Sequence, residues 1–132
     1  MKHTIIVNMP PSATPSQVLP DGAVIGNGDL SLVWSGTPER LRLYVCKSDF
    51  WKADPGDRGT GGICPIGYIE FLIPMLSYSP YKVEQCMDEG EIVGKFSAAG
   101  IDAKMKTSVC AVENTILIEL DITWPGASVS AD

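Results

Sequence analysis

Apolar residues recur along this chain in short alternating runs bounded by Gly, Pro, Asn and Asp, and helical spacing is hard to find anywhere. The clearest run is IDAKMKTSV, in which Ile101, Ala103, Met105, Thr107 and Val109 alternate with Asp102, Lys104, Lys106 and Ser108. A period of two predicts a strand with one buried and one wetted face. The following run, TILIELDIT, places Ile116, Ile118, Leu120 and Ile122 on one face and Leu117, Glu119, Asp121 and Thr123 on the other. Residues 30–35 and 40–45 read as a hairpin closed by Gly36-Thr37-Pro38-Glu39, with Leu41, Leu43 and Val45 toward a core. Shorter strands are predicted over 4–7, 67–73, 82–87 and 92–97, with turns at Asp88-Glu89-Gly90, Ala99-Gly100 and Glu113-Asn114. Three segments break the pattern: the proline-rich connection 9–22, the irregular crossing MLSYS between Pro74 and Pro80, and KADPGDRGTGG at 52–62, which predicts a mobile surface loop. The pattern as a whole predicts an all-β antiparallel sandwich, a single domain over 1–132 or the first part of one.

The stretch VIGNGDLSLVWSG resembles a glycine-rich nucleotide loop only superficially. Ser31 stands where a dinucleotide fingerprint needs its third small residue, and alternating Leu30, Leu32 and Trp34 follow where a helix is required. No Gly-Lys-Ser/Thr follows either. Gly26-Asn27-Gly28 is therefore a tight turn opening a strand, because Asn and Gly tolerate positive φ cheaply.

Charge narrows the partners. With 16 acidic residues against 10 basic ones the net charge is −6, which disfavours nucleic acid and anionic membrane surfaces. The opening MKHTIIVNMPP does not read as a signal peptide, and no run is long enough to span a membrane as a helix. Cys46, Cys64, Cys86 and Cys110 are widely spaced and the single histidine is His3, so neither a metal site nor a cofactor is expected. Buried free thiols are favoured over disulfides. The same histidine count leaves no Ser-His-Asp or Cys-His arrangement, and no pair of carboxylates stands out as an acid and base. No catalytic residue is assigned.

The most distinctive chemistry lies in KSDFW. If the strand extends, Lys47, Asp49 and Trp51 share one side, and a tryptophan beside hydrogen-bonding groups suits a sugar ring. The structural alternative is that Trp51 packs and Asp49 caps the adjoining loop.

The stretch from Val24 to Trp51 resembles the start of the N-terminal β-sandwich domain of glycoside hydrolase family 95 and its relatives. It is most similar to an uncharacterised bacterial N-terminal domain family whose pattern runs Gly-Asn-Gly-Asp and then Lys-x-Asp-x-Trp. Here those positions are Gly26, Asn27, Gly28, Asp29 and Lys47, Asp49, Trp51. GYIEFLIP, SPYKVEQCMDEGEIVGKF, IDAKMKTSV and NTILIELDI are similar in order as well. The sequence departs from fucosidase-type members at Cys46 and Lys47, where those carry Asn-Glu, so no fucose substrate is implied. The resemblance implies part of a galactose mutarotase-like supersandwich, from a family often exported. It also implies a parent glycoside hydrolase in carbohydrate metabolism, with its catalytic acid and base on a separate C-terminal α/α barrel absent from this chain.

Three roles are consistent with these observations. One is a non-catalytic scaffold that packs on the barrel and rims the sugar site with Asn27, Asp29, Lys47, Asp49 and Trp51. A second is a free-standing carbohydrate-binding module that uses an exposed Trp34, Trp51 or Trp124. A third is a purely structural interaction domain. The apolar residues on both faces of 115–123 further predict an exposed patch and self-association of the isolated chain.

Overall fold

In the computed structural model, residues 2–14, 20–53 and 62–124 are described. They form nine strands: β1 (Thr4–Val7), β2 (Val24–Gly26), β3 (Leu30–Thr37), β4 (Arg40–Lys52), β5 (Gly62–Leu72), β6 (Val83–Cys86), β7 (Glu91–Ala98), β8 (Ile101–Val109) and β9 (Ile116–Thr123). A single 3-10 turn, Pro74–Leu76, starts on a proline that cannot continue a ladder. Every pairing is antiparallel. One sheet has the order β1-β6-β7-β8-β9 and the other β2-β3-β4-β5. The fold is thus an all-β sandwich of two antiparallel sheets.

Alternation explains the layers. Leu30, Leu32 and Trp34 of β3 and Leu41 and Leu43 of β4 point inward and are buried, as are Ile101, Ala103, Met105 and Thr107 of β8. Between β7 and β8, Ala99 and Gly100 both take positive φ (52° and 77°), the geometry a two-residue hairpin needs to match strand twist.

The strands around KSDFW are longer than the sequence pattern predicts. β3 runs to Thr37, β4 to Lys52 rather than residue 45, and β5 begins at Gly62 rather than residue 67. Cross-strand pairing overrides local composition here: Trp51 faces Ile63 and Lys52 faces Gly62, beyond register shifts next to Cys46. The ends of the predicted loop at 52–62 are therefore paired, and its interior, 54–61, lies outside the described residues.

Trp34 occupies the centre of the core with no exposed surface. Its indole Nε1 donates to the Thr107 hydroxyl at 2.9 Å, joining β3 of one sheet to β8 of the other in a fully buried hydrogen bond. Burying a side chain of that size contributes about 5 kcal/mol by area. Space for it comes from Gly94 on β7, where a Cβ would lie 2.7 Å from the indole ring and 2.9 Å from the Phe96 ring. Tyr81 packs against Phe96 with ring centroids 5.8 Å apart, and burial pushes its phenol up to about 12.

Trp34→Phe should cost about 3 kcal/mol, since it removes contact area and strands the Thr107 hydroxyl. Gly94→Ala should cost about 2 kcal/mol through overpacking. Urea unfolding of the two single variants and the double variant checks the geometry. The smaller ring frees space at residue 94, so the double variant should lose less than the sum of the singles.

Candidate functional site

The site begins with the turn after β2. Asn27 accepts the N–H groups of Asp29 (3.0 Å) and Leu30 (2.8 Å) on its Oδ1, a side-chain-closed turn, while Gly28 takes φ 95° between them. Its Nδ2 donates to the Cys110 carbonyl at 2.9 Å and lies 3.3 Å from the Glu113 carbonyl and Asn114 Oδ1. One amide thus shapes a turn of the four-stranded sheet and ties it to the β8–β9 connection of the other sheet.

Asp29 extends the tie. Its Oδ1 accepts from the Ser48 hydroxyl (2.7 Å) and Lys47 Nζ (3.1 Å), and its Oδ2 accepts from Asn114 Nδ2 (2.7 Å). The Asp29 carbonyl takes the Ser48 N–H at 2.8 Å. Hydrogen bonds from Ser48, Asn114 and Lys47, in that order, hold the Asp29 carboxyl down at about 2. Lys47 also donates to Asp49, and its ammonium is raised by Asp49 and then by Asp29. The adjoining Cys46 thiol is pushed up by burial, against a hydrogen bond from Ser31.

The structure therefore brings Asn27, Asp29, Lys47 and Asp49 into one hydrogen-bonded cluster. Asp29 and Lys47 also line a hollow of about 240 Å³ with Gly28, Leu30, Ser31, Cys46 and Ser48, whereas Asn27 and Asp49 lie outside its lining. Trp51 lies further along β4 and meets the cluster only at the Ser48 backbone. It is 63% exposed, and its Nε1 donates to the Ser48 carbonyl at 3.0 Å. Of the other tryptophans, Trp34 is buried and Trp124 is 57% exposed. Ser48 and Asn114 belong to the cluster yet carried no sequence signal. Ser48 sits between two residues that the pattern singled out, and Asn114 is 85 residues from the carboxylate it binds.

A second surface lies on the outer face of the four-stranded sheet, and the local sequence pattern gives no sign of it. Tyr44 and Tyr68 have centroids 5.6 Å apart with planes tilted by 56°, and the Arg42 guanidinium lies 4.9 Å over the Tyr68 ring. Arg40 and Arg42 both pair with Glu70, whose carboxyl they hold below its usual range. This tilted, partly covered pair does not make a flat stacking platform.

A general acid must hold a proton near working pH, and Asp29 is ionised throughout that range. Among the described residues no group of three or more His, Cys, Asp or Glu side chains could hold a metal ion. The four cysteines are free thiols, all half-buried. No protein-family model matches the chain, and no curated protein matches it either.

The depressed carboxyl of Asp29 has a pH signature. A group whose folded value lies below its unfolded value stabilises above the unfolded value, and the stability is lost as pH falls through the folded one. Asp29→Asn should therefore melt below wild type at neutral pH, with the gap closing between 3.8 and about 2. Thermal melts of both proteins across that window check this, and a gap independent of pH would contradict the hydrogen-bonded carboxylate.

Proposed function

We propose that the chain is a non-catalytic scaffold domain of a carbohydrate-active, glycoside hydrolase-like enzyme, the first part of a galactose mutarotase-like supersandwich. In this reading it packs on a C-terminal α/α barrel that carries the catalytic acid and base, and the β4–β5 arm brings Trp51 to the rim of the sugar cleft. The observation that carries the reading is the bonding of Asn27, Asp29, Lys47 and Asp49. Their polar atoms bind one another, Ser48, Asn114 and the Cys110 carbonyl. Residues so engaged position a hairpin and an arm, and the chemistry belongs to another body.

Two further features support a packing role. Leu120 and Ile122 lie on the inward face of β9 yet remain 37% and 48% exposed, so that side of the sandwich lacks cover. The exposed arm carries Phe50 and Trp51, apolar surface suited to a neighbouring domain or a sugar ring. The exposure of Trp51 and Trp124 favours one second reading, a free-standing carbohydrate-binding module, though Trp51 lies within β4 of one sheet and Trp124 follows β9 of the other.

Two measurements on the purified chain separate these readings. As a scaffold it should leave aryl glycosides intact between about pH 4 and 8. Intrinsic fluorescence should also show no saturable response to neutral oligosaccharides below about 1 mM. Saturable quenching that disappears in Trp51→Ala would establish the binding module instead. Turnover that survives repurification and is lost in Asp29→Asn would overturn both.

A further inference from the structure

We infer that the free edge of β9 is a docking site for a strand that alternates apolar residues with Lys or Arg, added to the five-stranded sheet by backbone pairing. The inference does not depend on whether the neighbouring body is a catalytic barrel.

Sheet edges are ordinarily protected, and among the described residues the four edges here are not alike. β1 has 4 residues and β2 has 3, too short to template much pairing. β5 is long but carries Pro65, which lacks an N–H, beside register shifts. β9 has 8 residues with no proline, glycine or register shift. Its open side can therefore pair along its length.

The groups it offers can be counted from one bond. Cys110 N–H donates to the Thr115 carbonyl, and the β8–β9 register continues from there without interruption. In an antiparallel ladder alternate residues bond to the same neighbour, so Leu117, Glu119 and Asp121 turn their backbone groups toward β8. Ile116, Ile118, Leu120 and Ile122 turn theirs toward the open edge. The same four residues put their side chains on the inward face, and exposure rises along the strand to 48% at Ile122. An added strand would continue that apolar face.

Charge decides which strand. On the outer face β9 presents Glu119 and Asp121, and β8 meets them with Lys106 and Lys104 directly opposite, Lys106 lying 3.3 Å from Glu119. A strand on the other side faces the same two carboxylates and is favoured by the same basic residues. A second copy of β9 is disfavoured. The two antiparallel registers that overlap most of the strand set Glu119 against Glu119 or against Asp121, and a parallel in-register pair stacks like on like. Self-pairing through this edge is thus disfavoured. The residues that follow, 125–132, contain no Lys or Arg and do not match the pattern.

The test uses the full chain, isotope-labelled, with two capped heptapeptides: one alternating valine and lysine, the other with glutamate in place of lysine. The lysine peptide should bind about tenfold more tightly at low salt and lose that advantage at high salt. It should slow amide exchange at Ile118, Leu120 and Ile122. Leu120→Pro, which removes an open-edge N–H and leaves the β8 bonds in place, should abolish binding. Equal binding of the two peptides, protection elsewhere, or unchanged binding by Leu120→Pro would overturn the inference. So would protection of the same amides by the chain itself as its concentration rises without peptide, which would mark a second copy as the occupant. The comparison of the two peptides on wild type decides the matter even if the proline variant fails to fold.

Discussion

The hydrogen bond from the Trp34 indole to the Thr107 hydroxyl governs how the two sheets meet. A tryptophan is the largest apolar side chain a core can bury, but its N–H must find an acceptor once water is gone. Only one residue at one position in the opposite sheet supplies it. That requirement fixes β3 against β8, and the ring then needs Gly94 on β7 to leave space beside Phe96. A generic apolar core would tolerate the sheets sliding past each other, whereas this bond and this gap admit one arrangement.

The polar cluster depends on that arrangement. Thr107 and Cys110 lie three residues apart by number, so once Trp34 has set β8 in place the Cys110 carbonyl and Asn114 come within reach of the Asn27 turn. Asn27 and Asp29 then close the same end of the sandwich with bonds in both sheets. Lys47 and Ser48 bring the root of the β4 arm into the same network, and that network sets the direction in which Trp51 is carried outward. Core packing, hairpin shape and arm placement are linked steps. The scaffold reading rests on that linkage.

Much of this was legible in the sequence, for identifiable reasons. The limits of β8 are legible because apolar and charged residues alternate strictly from Ile101 to Lys106, and the Gly26-Asn27-Gly28 turn is legible because few residues adopt the positive φ of Gly28 cheaply. The sequence pattern points to Asn27, Asp29, Lys47 and Asp49 as a group, and hydrogen bonds join them in the fold. Trp51, which the same pattern includes, lies further out on β4 and touches the group through the Ser48 carbonyl. The extension of β4 and β5 was missed because strand pairing outweighed a glycine-rich composition. The roles of Asn114, Thr107 and Gly94 were not legible either. Each is set by a contact between segments far apart in sequence, and nothing in the local pattern of a lone threonine or glycine marks it as the partner of a distant indole.

The most direct test of this chain of dependence is native-state hydrogen exchange of the three tryptophan indole N–H groups, resolved by NMR. If Trp34 pins the sheets together, its indole proton exchanges only when the whole domain unfolds, with the same denaturant dependence as global unfolding, while those of Trp51 and Trp124 exchange quickly. An indole proton on Trp34 that exchanges through a small local opening, insensitive to denaturant, would show that the sheets are held together by something else.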